Sequence, residues 1–276
     1  MAGRTHLAPA NRADPAGSAF RRLPGGRILC YNSGMKAIIP AAGRGTRFLP
    51  VTRVVPKEML PIGAHPALEL IVGEARRAGA DEIVVVISHE KELVRAYFRD
   101  DPSVRFVYQE EQRGLGHAVL QCADLMAGER QVLVLLGDAL VIGCDAASEM
   151  AELSRRRGGA GVIGLERVPP EKVGRYGIVR ADADGRIVDM VEKPAPEEAP
   201  SDLAVAGRYL LDARVFDFLR EQRPGYGGEI QLTDAIRRML GECAVYGYVY
   251  PGRRQDIGNP EGYFRALEAY RGSQNA

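Results

Sequence analysis

The sequence predicts an α/β protein built on a mixed, mostly parallel sheet. Two observations carry this. In the first half, strand-length apolar runs such as 82–88 and 131–136 lack polar alternation, the pattern of strands covered on both faces. Segments with helical period separate those runs, and strictly alternating strands and helices imply a wound parallel sheet.

In chain order, 36–39 is a buried strand. Residues 67–78 form a helix with Leu68, Ile71, Val72 and Ala75 on one face. A strand at 82–88, a helix at 90–98, a strand at 104–109, a helix at 116–126 and a strand at 131–136 follow. From about residue 160 the rhythm changes. Strand-like runs at 160–167, 176–181, 186–192 and 203–211 crowd together, with Asp184-Gly185 as a hairpin turn. Helices at about 212–221 and 229–240, a strand at 244–250 and a helix from about 260 complete the chain. The second half therefore extends the sheet with mixed strands, and no linker or internal repeat divides it.

A chain of 276 residues, 46% of them apolar, can bury a large core. The formal net charge of +1 and the absence of a basic block give nucleic-acid or membrane-surface binding no electrostatic support. No apolar run approaches the roughly 18 residues of a membrane span. Cys30, Cys122, Cys144 and Cys243 include no C-x-x-C pair, so neither a zinc nor a redox motif is indicated, and reduced thiols in the cytoplasm are the simplest expectation. Residues 1–34 carry Pro, Gly, Arg and Ala without periodicity. They are expected to be an N-terminal extension, disordered or not native, preceding one domain over 35–276.

The densest chemistry lies in 36–61, KAIIPAAGRGTRFLPVTRVVPKEMLP. A strand enters a bend where Gly43 and Gly45 permit unusual backbone and close ligand approach. Free N–H groups in such a bend form an anion-binding concavity. Arg47 adds a charged planar fork, and Pro56 and Pro61 stiffen the mount of Lys57. Alone, a G-x-G is also a common surface turn. The dinucleotide fingerprint is excluded because Phe48 replaces its third glycine, and the Walker A loop because Gly-Lys-Ser/Thr is absent.

Gly43 to Pro61 resembles throughout the signature G-x-G-T-R-x-L-P-x-T…P-K-E-M-L-P of bacterial UTP–glucose-1-phosphate uridylyltransferases, within the sugar-1-phosphate nucleotidyltransferases. The resemblance runs from about residue 35 to about 270 through several motifs in order. It implies a Rossmann-like three-layer α/β/α sandwich and transfer of a uridylyl group from UTP to glucose 1-phosphate. It assigns Arg47, Lys57 and Lys193 to catalysis. Ala42, Gly43, Gly45, Gln109, Gly114 and Asp138 fall to the nucleotide, Gln109 through an amide that suits the uracil edge. Gly177, Glu192, Lys193 and Gly207 fall to the sugar phosphate, the Glu-Lys pair within V-E-K-P. Asp138 and Asp256 would hold Mg²⁺, which favours one or two carboxylates plus phosphate oxygens. Several of these residues have an ordinary alternative: Asp138 and Asp256 could be capping residues, Gln109 an exposed strand end, and Glu192 with Lys193 a surface ion pair.

Two positions depart from the family pattern: Ala139 where many relatives carry a second Asp, and His65 where Lys is frequent. His117 is expected to have no catalytic part. Residues 228–236, GEIQLTDAI, are expected to serve helix packing and possible subunit contact. The family forms homodimers and homotetramers. The rival readings are a thymidylyltransferase, a uridylyltransferase for another hexose 1-phosphate, and a non-catalytic sugar-nucleotide-binding regulator.

Overall fold

The computed structural model describes 19–22, 28–31 and 34–273. The chain divides into two units, Met1–Gly34 and Met35–Ala276. In the first, Ala19–Arg22 pairs antiparallel with Ile28–Tyr31. The expectation for the rest of 1–34 lies outside the described residues.

In the second unit, β1 (Met35–Pro40) lies between β2 (Ala80–Ile87) and β4 (Gln131–Leu135), and β3 (Val104–Tyr108) flanks β2. All three pairings are parallel; Ile38 sits opposite Val84 on one side and Val134 on the other. The second half adds β6 (Gly161–Arg167), β7 (Gly177–Ala181), β8 (Ile187–Glu192), β9 (Leu203–Asp212) and β10 (Val245–Val249). The ten-residue β9 joins the halves. Its second part runs antiparallel to β4 and its first part antiparallel to β7, while β6 pairs with β9 and, in parallel, with β10. The result is one mixed sheet of nine strands.

Strand alternation sorts the core into two layers. Ala37, Ile39, Val85, Leu133 and Leu135 face α1 (Ala67–Arg77), α4 (Ala146–Arg156) and α7 (Pro260–Ser273). Ile38, Val84, Val86, Val132 and Val134 face α3 (Leu115–Leu120), α5 (Val215–Arg220) and α6 (Leu232–Met239). Helices thus cover both faces, giving the three-layer sandwich. The predicted apolar face of α1 is correct: Leu68, Ile71, Val72 and Ala75 are fully buried. α2 (Glu92–Tyr97) follows a short turn, so the helix expected at 90–98 is shorter than predicted.

Other departures have local causes. The helix expected at 116–126 ends at Leu120, where bonding tightens to three-residue spacing in Cys122 N–H to Val119 O and Ala123 N–H to Leu120 O. The helix expected from 229 starts at Leu232, because Gln231 is extended and the Ile230 N–H donates to Arg113 O at 2.7 Å. A ribbon was not anticipated at all: β5 (Ala139–Ile142) pairs antiparallel with β11 (Arg253–Asp256). Among the described residues no helix is long and apolar enough to cross a membrane.

Candidate active site

Strand order reverses at β1 and β4, and in open α/β sheets ligands bind beyond the carboxyl ends at such a point. Here β1 releases the glycine-rich loop and β4 releases Leu136-Gly137-Asp138. The two segments touch: the Gly137 N–H donates to Pro40 O at 3.1 Å, and a side chain at Gly137 would lie 2.8 Å from that oxygen. A cleft of about 300 Å³ opens beside them, lined among others by Ala42, Gly43, Gln109, Gly114, Leu136, Asp138 and Glu229. Gly43 has nothing within 4 Å of a notional Cβ, so its contribution is free space; only Gly45 takes the left-handed conformation, at φ 65°.

Lys57 is the charged centre. It begins a 3₁₀ turn after Pro56, is buried, and donates to Asp138 Oδ2 at 2.5 Å. Burial opposes its charge, but Asp138 and then Glu58 outweigh that and hold its pKa above the ordinary lysine value. Burial likewise opposes the Asp138 carboxylate, and Lys57 overcomes it, so its pKa is lowered. Asp256 arrives on β11, whose pairing sets it opposite Ala139. Its carboxylate is held by the Gly258 N–H at 2.8 Å and by Asn259 Nδ2 at 3.3 Å. A Cβ on Gly258 would lie 2.8 Å from Asp256 Oδ1, 3.2 Å from Asp138 Oδ2 and 3.7 Å from Lys57 Nζ. Two carboxylates and an ammonium therefore surround one point that a side chain would fill.

On one flank, Gln109 is buried at the end of β3 and donates to Gly114 O at 3.3 Å, with His117 Nδ1 at 3.0 Å. Burial, then Arg113, lowers the His117 pKa, which favours the neutral ring. A neutral Nδ1 can accept from Gln109, so His117 orients the amide. Gly114, at φ 102°, packs so tightly on the 229–230 backbone that a Cβ would meet Ile230 O at 2.8 Å. Gln112 spans the cleft edge, donating to Ala42 O at 2.9 Å.

On the other flank, Glu192 Oε2 accepts from Thr233 Oγ1 at 2.6 Å, and a Cβ on Gly177 would sit 3.0 Å from that hydroxyl. Lys193 has φ 45°, unusual for a lysine, and such backbone strain concentrates at ligand sites. Its ammonium lies 3.5 Å from Glu192 Oε1 and 5.1 Å from the Tyr226 ring centroid. Gly207, at φ 79°, lets β9 pass Leu136, whose side chain a Cβ would meet at 3.0 Å.

Arg47 does not line this cleft. It is exposed and lines a groove with Phe48, Leu49 and Phe264, whereas Gly45 shares a small enclosed cavity with Arg44 and Lys57.

Comparisons with known proteins place the chain in a family. The nucleotidyl transferase family model matches residues 36–273. The chain belongs to the nucleotidyl transferase family. A UTP–glucose-1-phosphate uridylyltransferase of Staphylococcus haemolyticus is 39% identical over 264 residues, covering 85% of this chain and 91% of that protein. A UDP-glucose pyrophosphorylase solved with UDP-glucose shares 36% identity at a TM-score of 0.79, covering 87% of this chain and 99% of that one. A UTP-bound enzyme of the same kind from Acinetobacter baumannii shares 32% identity at a TM-score of 0.74, covering 86% and 93%.

In a nucleotidyl transferase the carboxylates of Asp138 and Asp256 fit a divalent cation: two oxygen donors from separate segments converge on one point beside Gly258. Among the described residues no group of three or more His, Cys, Asp or Glu is placed to hold a metal ion, and this pair is no exception. The 228–236 segment does more than pack, because Glu229 lines the cleft and Thr233 holds Glu192. In the sequence, Glu229 and Thr233 alternate with Ile230 and Leu232, which helix packing would equally explain.

Proposed function

We propose that the chain transfers the uridylyl group of UTP to glucose 1-phosphate, giving UDP-glucose and pyrophosphate. The observation that carries the reading is the meeting of Lys57, Asp138 and Asp256 around one point at the sheet's switch point. The names of the relatives at 32–39% identity supply the substrates.

An oxygen of the sugar phosphate attacks the α-phosphorus of UTP, the bond to the β-phosphate oxygen breaks, and pyrophosphate leaves with that electron pair. The nucleophile is already an anion, so no general base is required. The work of the site is to hold two polyanions together and to meet the charge that develops. Lys57 and Lys193 offset repulsion between the two phosphates, and Arg47 would swing from its exposed groove to the departing pyrophosphate. Gln109, held by Gly114 and His117, reads the uracil edge, while Gly43 leaves space for phosphate and Glu192 accepts from sugar hydroxyls. Mg²⁺ on Asp138 and Asp256 would supply Lewis-acid stabilisation of phosphate oxygens. We further read residues 1–34 as an extension outside the catalytic domain, and the protein as a cytoplasmic homodimer or homotetramer; the free thiols of Cys122, Cys144 and Cys243 accord with a reducing compartment.

A pyrophosphate-release assay with Mg²⁺, crossing UTP and dTTP against several hexose 1-phosphates, tests the reading. UTP with glucose 1-phosphate should give the highest kcat/KM. A preference for dTTP would make the chain a thymidylyltransferase, and no release with any pair would make it a binding protein.

A further inference from the structure

Beside Lys57 lies a second buried ion pair that the reaction does not use. Glu58 is 1% exposed and Lys91, from the turn after β2, is 5% exposed. Lys91 Nζ lies 2.8 Å from each Glu58 carboxylate oxygen and donates also to Ala41 O, the residue leading into the glycine-rich loop. Its three N–H donors are thus all engaged. Glu58 Oε1 lies 3.9 Å from Lys57 Nζ, against 2.5 Å for Asp138 Oδ2.

A buried ion pair is weak evidence for stability, since apolar residues of similar volume serve as well. Its location is the informative part. Glu58 is a buried carboxylate adjacent in sequence to Lys57, and with Lys91 absent the nearest ammonium to it would be Lys57 itself. We propose that Lys91 and Glu58 are positioning residues: Lys91 satisfies Glu58 so that the Lys57 ammonium stays committed to Asp138 and the incoming phosphate, and its bond to Ala41 fixes the entry to the glycine-rich loop. This rests on the nucleotidyl-transfer reading and on Lys57 as its phosphate-binding cation.

The proposal predicts an asymmetry that a structural tie would lack. Removing the lysine charge leaves Glu58 to capture Lys57; removing the glutamate charge removes the competitor. Steady-state kinetics with UTP and glucose 1-phosphate on Lys91→Gln, Glu58→Gln and the double variant, beside thermal unfolding of each, read it directly. Lys91→Gln keeps a donor for Ala41 while losing the charge. Its kcat should fall at least about tenfold, with the KM for UTP changed less, and should fall much further than in Glu58→Gln; adding Glu58→Gln should restore most of the loss. If Lys91→Gln alone does not fold, a folded double variant with substantial turnover supports the proposal, and a folded double variant without turnover overturns it. Equal losses in the two single variants, or no restoration in the double, would also overturn it. Wild-type protein inactive on these substrates would instead remove the functional reading beneath it.

Discussion

Gly258 shows how much a single position can decide. A Cβ there would sit 2.8 Å from Asp256 Oδ1, and the same carboxylate is anchored on the Gly258 N–H. The methyl group must displace either the carboxylate or the backbone that holds it. Gly258→Ala should therefore lower turnover by at least about tenfold, because small misplacement of a positioning group is costly in catalysis. Its urea unfolding midpoint should stay close to wild type, since the atoms the methyl group meets are the side-chain ends of Asp256, Asp138 and Lys57 and not backbone. The places of several candidate residues in the fold were legible at this scale. Gly43, Gln109, Asp138 and Glu192 each stand at or just after a strand end, as expected, and Lys57 stands where the proline-flanked motif put it. The pairing of Gln109 with His117 was not legible, because nothing in sequence spacing shows which ring nitrogen meets an amide eight residues away. The exposed position of Arg47 was also beyond reach, since it lies in the 3₁₀ turn Thr46–Phe48, which no sequence period marks.

Among elements, the β5–β11 ribbon matters most to the chemistry and was the least visible. β11 reads Arg-Arg-Gln-Asp, without apolar alternation, so no period marks it as a strand. Yet its register sets Asp256 opposite Ala139 and so beside Asp138. The ribbon is braced from below. Arg208, fully buried on β9, donates to Glu74 at 2.9 and 2.7 Å and to the carbonyl of Ala139 at 2.7 Å. Arg208 therefore braces the backbone next to Asp138. Arg208→Met leaves the Glu74 carboxylate buried and unpaired, and breaking a buried pair in this way costs about 3–5 kcal/mol. Urea unfolding should show that loss, and Glu74→Leu in the same chain should recover much of it. By contrast, α1 and the strands β1, β2 and β4 were plain in the sequence, because burial on both faces leaves continuous apolar runs and one clean helical stripe.

In the whole Met35–Ala276 unit, the site is assembled from segments that share little but the sheet edge. β1 brings the glycine-rich loop, β3 brings Gln109, β4 brings Asp138, β8 brings Glu192 and Lys193, and β11 brings Asp256. The alternation of elements predicted that edge, and the family motifs named candidates for it; the long-range contacts among Lys57, Glu58 and Lys91 appear only once the chain is folded. The account stands on Lys57 as the cation that joins the carboxylates to phosphate. UDP-glucose formation from UTP and glucose 1-phosphate by Lys57→Ala, with its thermal unfolding recorded alongside, tests this most directly. The account predicts turnover reduced by about a hundredfold or more in a protein that still unfolds cooperatively; turnover near wild type would contradict it.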